Sequence, residues 1–213
     1  MFIAHRGLNN HKHGENCMDG ILDSLDKNYI SGIECDLRLT KDNKIVLLHN
    51  MLIDKVSNAS GFVYKKNLDD LLSYQFHSGK ITVLSDLLSK INNNKILLLE
   101  IKEERNVISE WVVAIESILK NYSNLNIYLC SFNYNLLKNL KNRFKNIKMG
   151  LIVGYSMNKS KDLSLFDFVM YHYNSFKYTH KMSMVFTIND FSLKEKYKKR
   201  VDYIITDVAY KLV

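Results

Sequence analysis

The sequence contains no proline and few cysteines, and these absences argue against several classes of protein. Its 213 residues include only Cys17, Cys35 and Cys130. The three form neither a CxxC metal-binding spacing nor a paired disulfide framework. We therefore expect reduced thiols in a cytoplasm, and the pattern gives no support for a secreted disulfide scaffold.

Long hydrophobic runs are also absent. No run approaches the roughly 18 consecutive apolar residues that a membrane span requires. The first four residues lead directly to His5, without the basic region and apolar core of a signal peptide. We expect a cytoplasmic protein with at most peripheral membrane contact.

Acidic residues are outnumbered by basic ones. The chain has 22 Asp and Glu against 30 Lys and Arg, a formal charge of +8. Such an excess can indicate an anionic partner such as a nucleic acid or a membrane surface. The lysines are scattered, however, and the densest group, residues 194–200, is typical of a solvated helix face. We expect no nucleic-acid partner.

The composition that is present is typical of a globular protein. The chain is 46% hydrophobic and 24% charged, and its length suits one sizeable core. No shift in composition indicates a domain boundary, so residues 1–213 are expected to form a single domain.

Apolar strand candidates alternate with helical patterns along the chain. This alternation predicts βαβ units and a parallel sheet, and eight strands predict an α/β protein with a compact (β/α)8 TIM barrel. Only seven residues follow Thr206, so the last helix is expected to be truncated or missing. An open, doubly wound sheet remains an alternative, but no glycine-rich phosphate loop follows a strand. The strands are expected to start at Phe2, Ile33, Ile96, Ile127, Met149, Phe166, Met184 and Tyr203.

The helical patterns are less regular than the strands. Asn16 is the expected N-cap of the first helix, which begins at Met18. Short helical patterns are expected near residues 68–72 and 84–91, and longer ones at 107–119, 136–144, 159–165, 173–181 and 191–199.

Three carboxylates interrupt the apolar strands. Glu34 and Asp36 are two residues apart and should project to the same side, and Glu100 lies near the end of the next long strand. In a barrel, the C-terminal ends of strands build the active site. Three carboxylates suit Mg²⁺ or Ca²⁺. Alternatively, they only pair with Lys102 or Arg6, although charges inside apolar strands are costly unless they bind something.

Two histidines and an arginine accompany these carboxylates. His5 and Arg6 end the first strand, and His49 follows the apolar run 45–48. Histidine suits acid–base work near neutral pH, and the guanidinium of Arg6 can engage two phosphate oxygens at once.

A series of short motifs runs along the chain in a fixed order. They are HRG (5–7), EN (15–16), ExD (34–36), TKD (40–42), the histidine at 49, LEIK (99–102), SF (131–132), TIN (187–189) and IITD (204–207). The ordered set resembles the glycerophosphodiester phosphodiesterase family, and the resemblance covers nearly the whole chain.

The resemblance implies a (β/α)8 barrel and a role for each motif. A divalent cation would be bound by Glu34, Asp36 and Glu100, and the general acid and base would be His5 and His49. Phosphate would be held by Arg6 and Lys102, with Glu15 in support. The nucleophile is either water or the adjacent glycerol hydroxyl, and the histidine that plays each part stays open.

Several positions depart from the family pattern. Asn50 stands where an aspartate normally follows the histidine, and Phe186 replaces a tryptophan. An aspartate at position 50 would orient His49 or support its charged form, so we expect lower or shifted activity rather than none. Gly14, Cys17 and Ala209 also differ from the family's usual residues.

Three functions are consistent with these residues. The first is metal-dependent hydrolysis of glycerophosphodiesters, which are small molecules, to glycerol 3-phosphate and an alcohol. The second is a lysophospholipase D-type phosphodiesterase, with an apolar surface that could touch a membrane. The third is an inactive barrel that binds a phosphorylated ligand. The oligomeric state is open. The expected apolar surface comprises Phe62, Tyr64, Leu71, Leu72 and Phe76.

The remaining histidines are expected to lie outside the catalytic pair. His11 and His13 form a His-x-His pair in a loop that we interpret as solvated, rather than as a transition-metal site. His172 is expected near the pocket, and His77 and His180 on the surface.

Overall fold

Eight parallel strands close into a barrel in the part of the chain that the computed structural model describes, residues 1–7, 13–154, 162–177 and 181–213. The barrel closes because β1 pairs in parallel with both β2 and β10. The strands of the described residues are β1 (Phe2–His5), β2 (Ile30–Leu39), β3 (Ile45–Leu47), β4 (Thr82–Val83), β5 (Ile96–Ile101), β6 (Ile127–Ser131), β7 (Lys148–Val153), β8 (Phe168–His172), β9 (Met182–Phe186) and β10 (Tyr203–Thr206).

Helices of uneven length connect the barrel strands. Short 3₁₀ turns at Val63–Lys65, Leu163–Leu165 and Tyr173–Ser175 supplement them. The α-helices of the described residues are α1 (Met18–Leu25), α2 (Leu68–Ser73), α3 (Leu84–Leu88), α4 (Ile108–Leu119), α5 (Tyr134–Arg143), α6 (Phe191–Tyr197) and α7 (Ala209–Leu212). The predicted (β/α)8 TIM barrel is confirmed, and the last described helix, α7, has four residues.

The strands carry apolar side chains on both faces. One face packs against the helices and the other fills the barrel interior. On β5, Leu97 and Leu99 face the helices, while Ile96 and Leu98 face the barrel interior. This burial on both sides produces the continuous apolar run that predicted the strand. The inward series of β5 continues to Glu100, at the C-terminal end of the barrel where active sites of this fold are built.

The predicted helix over residues 173–181 is wrong for the described part. Only the 3₁₀ turn Tyr173–Ser175 forms there, and Phe176 already has extended backbone. The Phe176 ring packs edge-on against Tyr171 and Tyr197, so the aromatic spacing anchors a connection rather than one face of a helix. Residues 178–180 lie outside the described residues.

Two other helix predictions need correction. The pattern at 159–165 gives only the 3₁₀ turn Leu163–Leu165, and residues 159–161 lie outside the described part. The N-cap of α1 is Cys17, whose sulfur accepts a hydrogen bond from the Gly20 N–H at 3.3 Å. Asn16 does not cap the helix because its side chain bonds to Asp36.

An insertion, residues 45–83, extends the sheet beyond the barrel. Its strand β3 pairs antiparallel with β2, and β4 pairs antiparallel with β3. The insertion has a core of its own, formed by Val46, Leu48, Ile53, Val63, Leu71, Phe76 and Ile81.

The core of the insertion corrects the predicted apolar surface. Leu71 is fully buried and Phe76 is 2% exposed, so neither can touch a membrane. Leu72, on the outer side of α2, is 39% exposed. Among the described helices, none is long and apolar enough to cross a membrane.

Candidate active site

Strand pairing brings three carboxylates together at the C-terminal end of the barrel. The β2–β5 register sets Asp36 beside Glu100, and the β1–β2 register sets His5 beside Glu34. Glu34, Asp36 and Glu100 are all buried, and one oxygen from each lies within 4.8 Å of the others. The structure thus brings together the three predicted ligands.

Glu34 is a buried carboxylate of this group, 1% exposed. One oxygen accepts a hydrogen bond from the Arg6 N–H at 3.2 Å. The other oxygen, Oε1, is buried without a hydrogen-bond partner among the described residues. Burial and the neighbouring charge of Asp36 raise the pKa of Glu34 from its ordinary 4.5 to about 8. An orphaned buried oxygen in an all-carboxylate group fits a hard divalent cation.

Asp36 is held in its charged form by its neighbours. Burial alone would raise its pKa, but Lys102 at 3.0 Å and Arg6 at 3.1 Å lower it. Asn16 adds two hydrogen bonds, since its amide donates to Oδ2 at 2.8 Å and its oxygen accepts from the Asp36 N–H at 3.0 Å. Asp36 is therefore fixed in position and kept charged by Lys102, Arg6 and Asn16.

Lys102 lies between two of the carboxylates. It follows directly after β5, and its ammonium is 2.6 Å from Glu100 and 3.0 Å from Asp36. Burial would lower the pKa of Lys102, but these two carboxylates raise it. Burial raises the pKa of Glu100, although Lys102 opposes the shift. Lys102 thus stays charged beside the carboxylates.

Arg6 adopts a left-handed backbone conformation, with φ of 55°. Such a conformation is uncommon for a residue with a side chain. Here it directs the N–H of Arg6 to Glu34, while the Arg6 carbonyl accepts from the Asn16 N–H at 2.9 Å. The guanidinium donates to Glu15 at 2.7 Å. The turn therefore ties the first strand to the EN loop.

His5 is connected to the last strand of the barrel. Its Nδ1 lies 2.6 Å from Asp207 Oδ1, and its Nε2 lies 3.8 Å from Glu34. Burial would lower the pKa of His5, but the bond to Asp207 and the charge of Glu34 raise it. Asn189 donates to the other oxygen of Asp207 at 2.6 Å. A carboxylate can only accept, so Nδ1 of His5 carries a proton.

His49 comes from the insertion rather than from a barrel strand. The Leu48 N–H donates to the Asp36 carbonyl at 3.0 Å, and His49 Nδ1 lies 3.0 Å from Asn50 Oδ1. Burial lowers the pKa of His49, although Asp36 and Asn50 oppose the shift. The ring borders a pocket of about 240 Å³ that Glu15 and His77 also line.

The chain matches a known protein family over most of its length. Residues 5–207 match the model of the Glycerophosphoryl diester phosphodiesterase family. The chain belongs to this family.

Two curated relatives are similar to this chain over parts of their sequences. A glycerophosphodiester phosphodiesterase of Caldanaerobacter subterraneus is 25% identical over 71% of this chain and 66% of its own length. A putative glycerophosphodiester phosphodiesterase of Bacillus subtilis, YhdW, is 32% identical over 47% of this chain and 44% of its own length. The chain therefore spans less than two thirds of these curated relatives.

A solved structure shows the same fold. The phosphodiesterase of Oleispira antarctica, determined in complex with the product sn-glycerol-3-phosphate, superposes with a TM-score of 0.87 at 24% identity. The superposition covers 100% of this chain and 94% of the Oleispira antarctica chain.

Phe186, at the family's tryptophan position, belongs to an aromatic wall at the end of β9. Its ring meets His172 edge-on at 5.7 Å and Phe132 at 6.5 Å between centroids. That His172 lies near the substrate pocket stays a prediction. His77 is exposed, as predicted, but it also lines the pocket beside His49.

Of the remaining histidines, His13 falls within the described residues. His13 lies 4.0 Å from Asp23 of α1, and His11 and His180 fall outside the described residues.

Asp207 and Asn189 were not among the predicted site residues. The available signal was the resemblance itself, because Asn189 ends the TIN motif and Asp207 ends the IITD motif. Asn189 follows β9 and Asp207 follows β10, at the ends of barrel strands where this fold places its functional residues.

Proposed function

We propose that this protein hydrolyses glycerophosphodiesters to glycerol 3-phosphate and an alcohol, using a divalent cation and two histidines. The observation that carries the proposal is the buried group of Glu34, Asp36 and Glu100, flanked by Lys102 and His5. The product bound to the Oleispira antarctica relative supports the same substrate class.

A divalent cation, Mg²⁺ or Ca²⁺, would be held by the three carboxylates. All three members of this group are carboxylates, and both ions prefer oxygen ligands. The unpartnered Glu34 Oε1 supports a cation there. Such an ion supplies electrostatic stabilisation of a phosphodiester that accumulates negative charge during attack.

Arg6 and Lys102 would hold the phosphate. Both cations border the carboxylates and are already desolvated in part. A phosphodiester repels nucleophiles by its own charge, so two fixed cations lower the barrier to attack. Glu15, by its ion pair with Arg6, would fix the orientation of the guanidinium.

The pKa directions support different roles for the two histidines. His5 has a raised pKa, so it suits the donor of a proton to the leaving alkoxide. His49 has a lowered pKa, and Asn50 Oδ1 accepts from Nδ1, which leaves Nε2 free to accept a proton. His49 thus suits the base that activates water or the glycerol hydroxyl.

The test is release of glycerol 3-phosphate from glycerophosphocholine and glycerophosphoethanolamine, with Mg²⁺, with Ca²⁺ and with EDTA. We expect release with one or both cations, loss in EDTA, and loss in the variant His5→Ala. Arg143→Ala is the control, because Arg143 pairs only with Glu116 on the outer surface among the described contacts. Full activity of His5→Ala would contradict the proposed acid–base role.

An exposed aromatic side chain favours a second candidate, phosphodiesterase activity on lysophospholipids. Phe132, in the aromatic wall, is 48% exposed, and an acyl chain could pack against it. Comparing substrates with and without an acyl chain separates the two activities. If no substrate of either kind is cleaved, the remaining candidate is an inactive barrel that binds a phosphorylated ligand.

A further inference from the structure

Arg38 lies in the same inward-facing series of β2 as Glu34 and Asp36. It follows Asp36 by two residues, so both side chains project from the same face of the strand. Its side chain does not bind the carboxylates. Instead, Nε and Nη2 both donate to the backbone carbonyl of His49, at 3.0 and 2.6 Å.

The third nitrogen of Arg38 points to a different loop. Nη1 donates to both carboxylate oxygens of Glu104, at 3.0 and 3.2 Å. Glu104 follows Lys102 by two residues in the loop after β5. One guanidinium therefore joins the segment that carries His49 to the segment that carries Lys102.

Burial makes this contact more than a surface ion pair. Arg38 is 7% exposed, whereas the Glu104 side chain is 51% exposed. A buried guanidinium is costly unless its donors are satisfied, and the His49 carbonyl takes two of the three nitrogens. The bonds from Arg38 to His49 are thus buried, whereas the ion pair with Glu104 is open to solvent on the Glu104 side.

His49 needs such a contact because it lies outside the barrel. The Leu48 N–H bonds to the Asp36 carbonyl before it, and the chain then enters the insertion. Among the described residues, the hydrogen bonds between His49 and β2 are those that Arg38 donates to the His49 carbonyl. Without them, the hydrogen bond of Leu48 alone would tie this part of the main chain to β2.

We propose that Arg38 is a positioning residue that holds His49 in place relative to the carboxylates and Lys102. The inference rests on the proposed function, since it assumes that His49 moves a proton. Arg38 does not touch the substrate in this account. It acts on the rate because a misplaced catalytic group reduces the fraction of productive complexes.

The variant Arg38→Met removes the donors and keeps most of the side-chain volume. We expect kcat to fall by about 10-fold to 100-fold, with KM changed far less, as for loss of a group that orients another. Arg38→Lys keeps the charge and one donor centre, so its kcat should lie between those of the wild type and Arg38→Met. Glu104→Gln keeps both bonds to His49 and should lose less than about fivefold.

The control is a second arginine–glutamate pair. Arg143 donates to both oxygens of Glu116 on the outer surface, so Arg143→Met removes a similar pair far from the site. We expect unchanged kcat. Mg²⁺ affinity, measured by calorimetry, should be unchanged in Arg38→Met if the carboxylates remain in place.

Two measurements separate positioning from general damage to the fold. Guanidinium ion at millimolar concentration should restore part of the activity of Arg38→Ala, whereas sodium chloride at the same concentration should not. The NMR cross-peak of the His49 ring should shift in Arg38→Met, and this readout does not depend on activity.

The outcomes distinguish this inference from the proposed function. If the wild type releases no glycerol 3-phosphate, the proposed function fails, and the NMR shift still tests whether Arg38 sets the placement of His49. An unshifted His49 cross-peak would overturn the inference. A parallel fall of kcat, Mg²⁺ affinity and melting temperature would also overturn it, because the effect would then be structural.

Discussion

Asn50, beside His49, is the residue whose replacement by aspartate should change the pKa of His49. Its amide oxygen lies 3.0 Å from His49 Nδ1 and carries no formal charge. In Asn50→Asp, a carboxylate at this distance would favour the imidazolium form and raise the pKa of His49. A base must be neutral to accept a proton, so the acidic limb of the pH profile of kcat/KM should move to higher pH. Identical rate and pH profile in both proteins would contradict this account.

Asp207 lies 2.6 Å from His5 Nδ1, and its replacement should change the pKa of His5. Because its carboxylate contributes to the raised pKa of His5, Asp207→Asn should lower that pKa and move the alkaline limb of the pH profile to lower pH. We also expect kcat to fall by about 10-fold to 100-fold, as for loss of the carboxylate that orients a functional histidine. Asp162→Asn is the control, because Asp162 only caps a 3₁₀ turn among the described contacts. An alkaline limb that does not move would show that Asp207 does not set the proton affinity of His5.

Charged residues inside apolar strands were predictable from the sequence. Glu34, Asp36 and Glu100 interrupt runs that are otherwise buried, and the structure does bring them together. The partners Asp207 and Arg38 were not assigned. Asp207 contacts His5 across 202 positions of the chain, which depends on barrel closure, and Arg38 acts on a backbone carbonyl that no side-chain pattern reveals.

At the scale of the elements, the β2–β5 ladder controls the spacing of the carboxylates. A methyl group at Gly32 would lie 2.5 Å from the backbone carbonyl oxygen of Ile96. Gly32→Ala should therefore push the two strands apart and destabilise the fold by about 1 to 3 kcal/mol, as measured by urea unfolding. Val113→Ala, at an exposed position of α4, should change stability by less than about 0.5 kcal/mol. Equal stabilities of the two variants would contradict the predicted close contact.

The length of an element decided how well the sequence predicted it. The helix predicted at 107–119 appears as α4 (Ile108–Leu119), because it is long and its apolar face is continuous. The strand β4 (Thr82–Val83) was missed, since two residues carry no period and exist as a strand only by pairing with β3. The helix predicted at 173–181 was wrong for the described residues, because the Phe176 ring packs against Tyr171 and Tyr197 and the chain there is extended.

At the scale of the whole molecule, the buried carboxylates link stability to pH and to metal. Without metal, folded Glu34 keeps its proton up to about pH 8, whereas an unfolded chain releases it near 4.5. This group therefore makes the metal-free protein less stable as pH rises from about 4.5 to 8, since the folded state binds more protons.

Metal should reverse that trend because a cation binds the deprotonated carboxylate. We expect Mg²⁺ to raise the melting temperature more at pH 8 than at pH 6. At 100 times its Kd, the ion would add roughly 2.7 kcal/mol. Glu34→Gln should weaken the dependence on pH, since Glu100 still has a raised pKa. A Mg²⁺ effect in the wild type that is equal at both pH values would argue against Glu34 as a ligand.

Some predictions for the whole molecule remain predictions. The single domain over residues 1–213, the cytoplasmic location and the absence of a nucleic-acid partner are in this group.

The separate core of the insertion has a consequence for how activity is lost. β3 joins the barrel through a ladder of three residue pairs with β2, and the insertion carries His49. A cooperative unit of this kind can open locally while the barrel stays closed. In hydrogen exchange, the amides of Val46 and Leu47 should lose protection before those of Leu98 and Leu99 in β5, and heating should abolish turnover before far-UV circular dichroism reports unfolding.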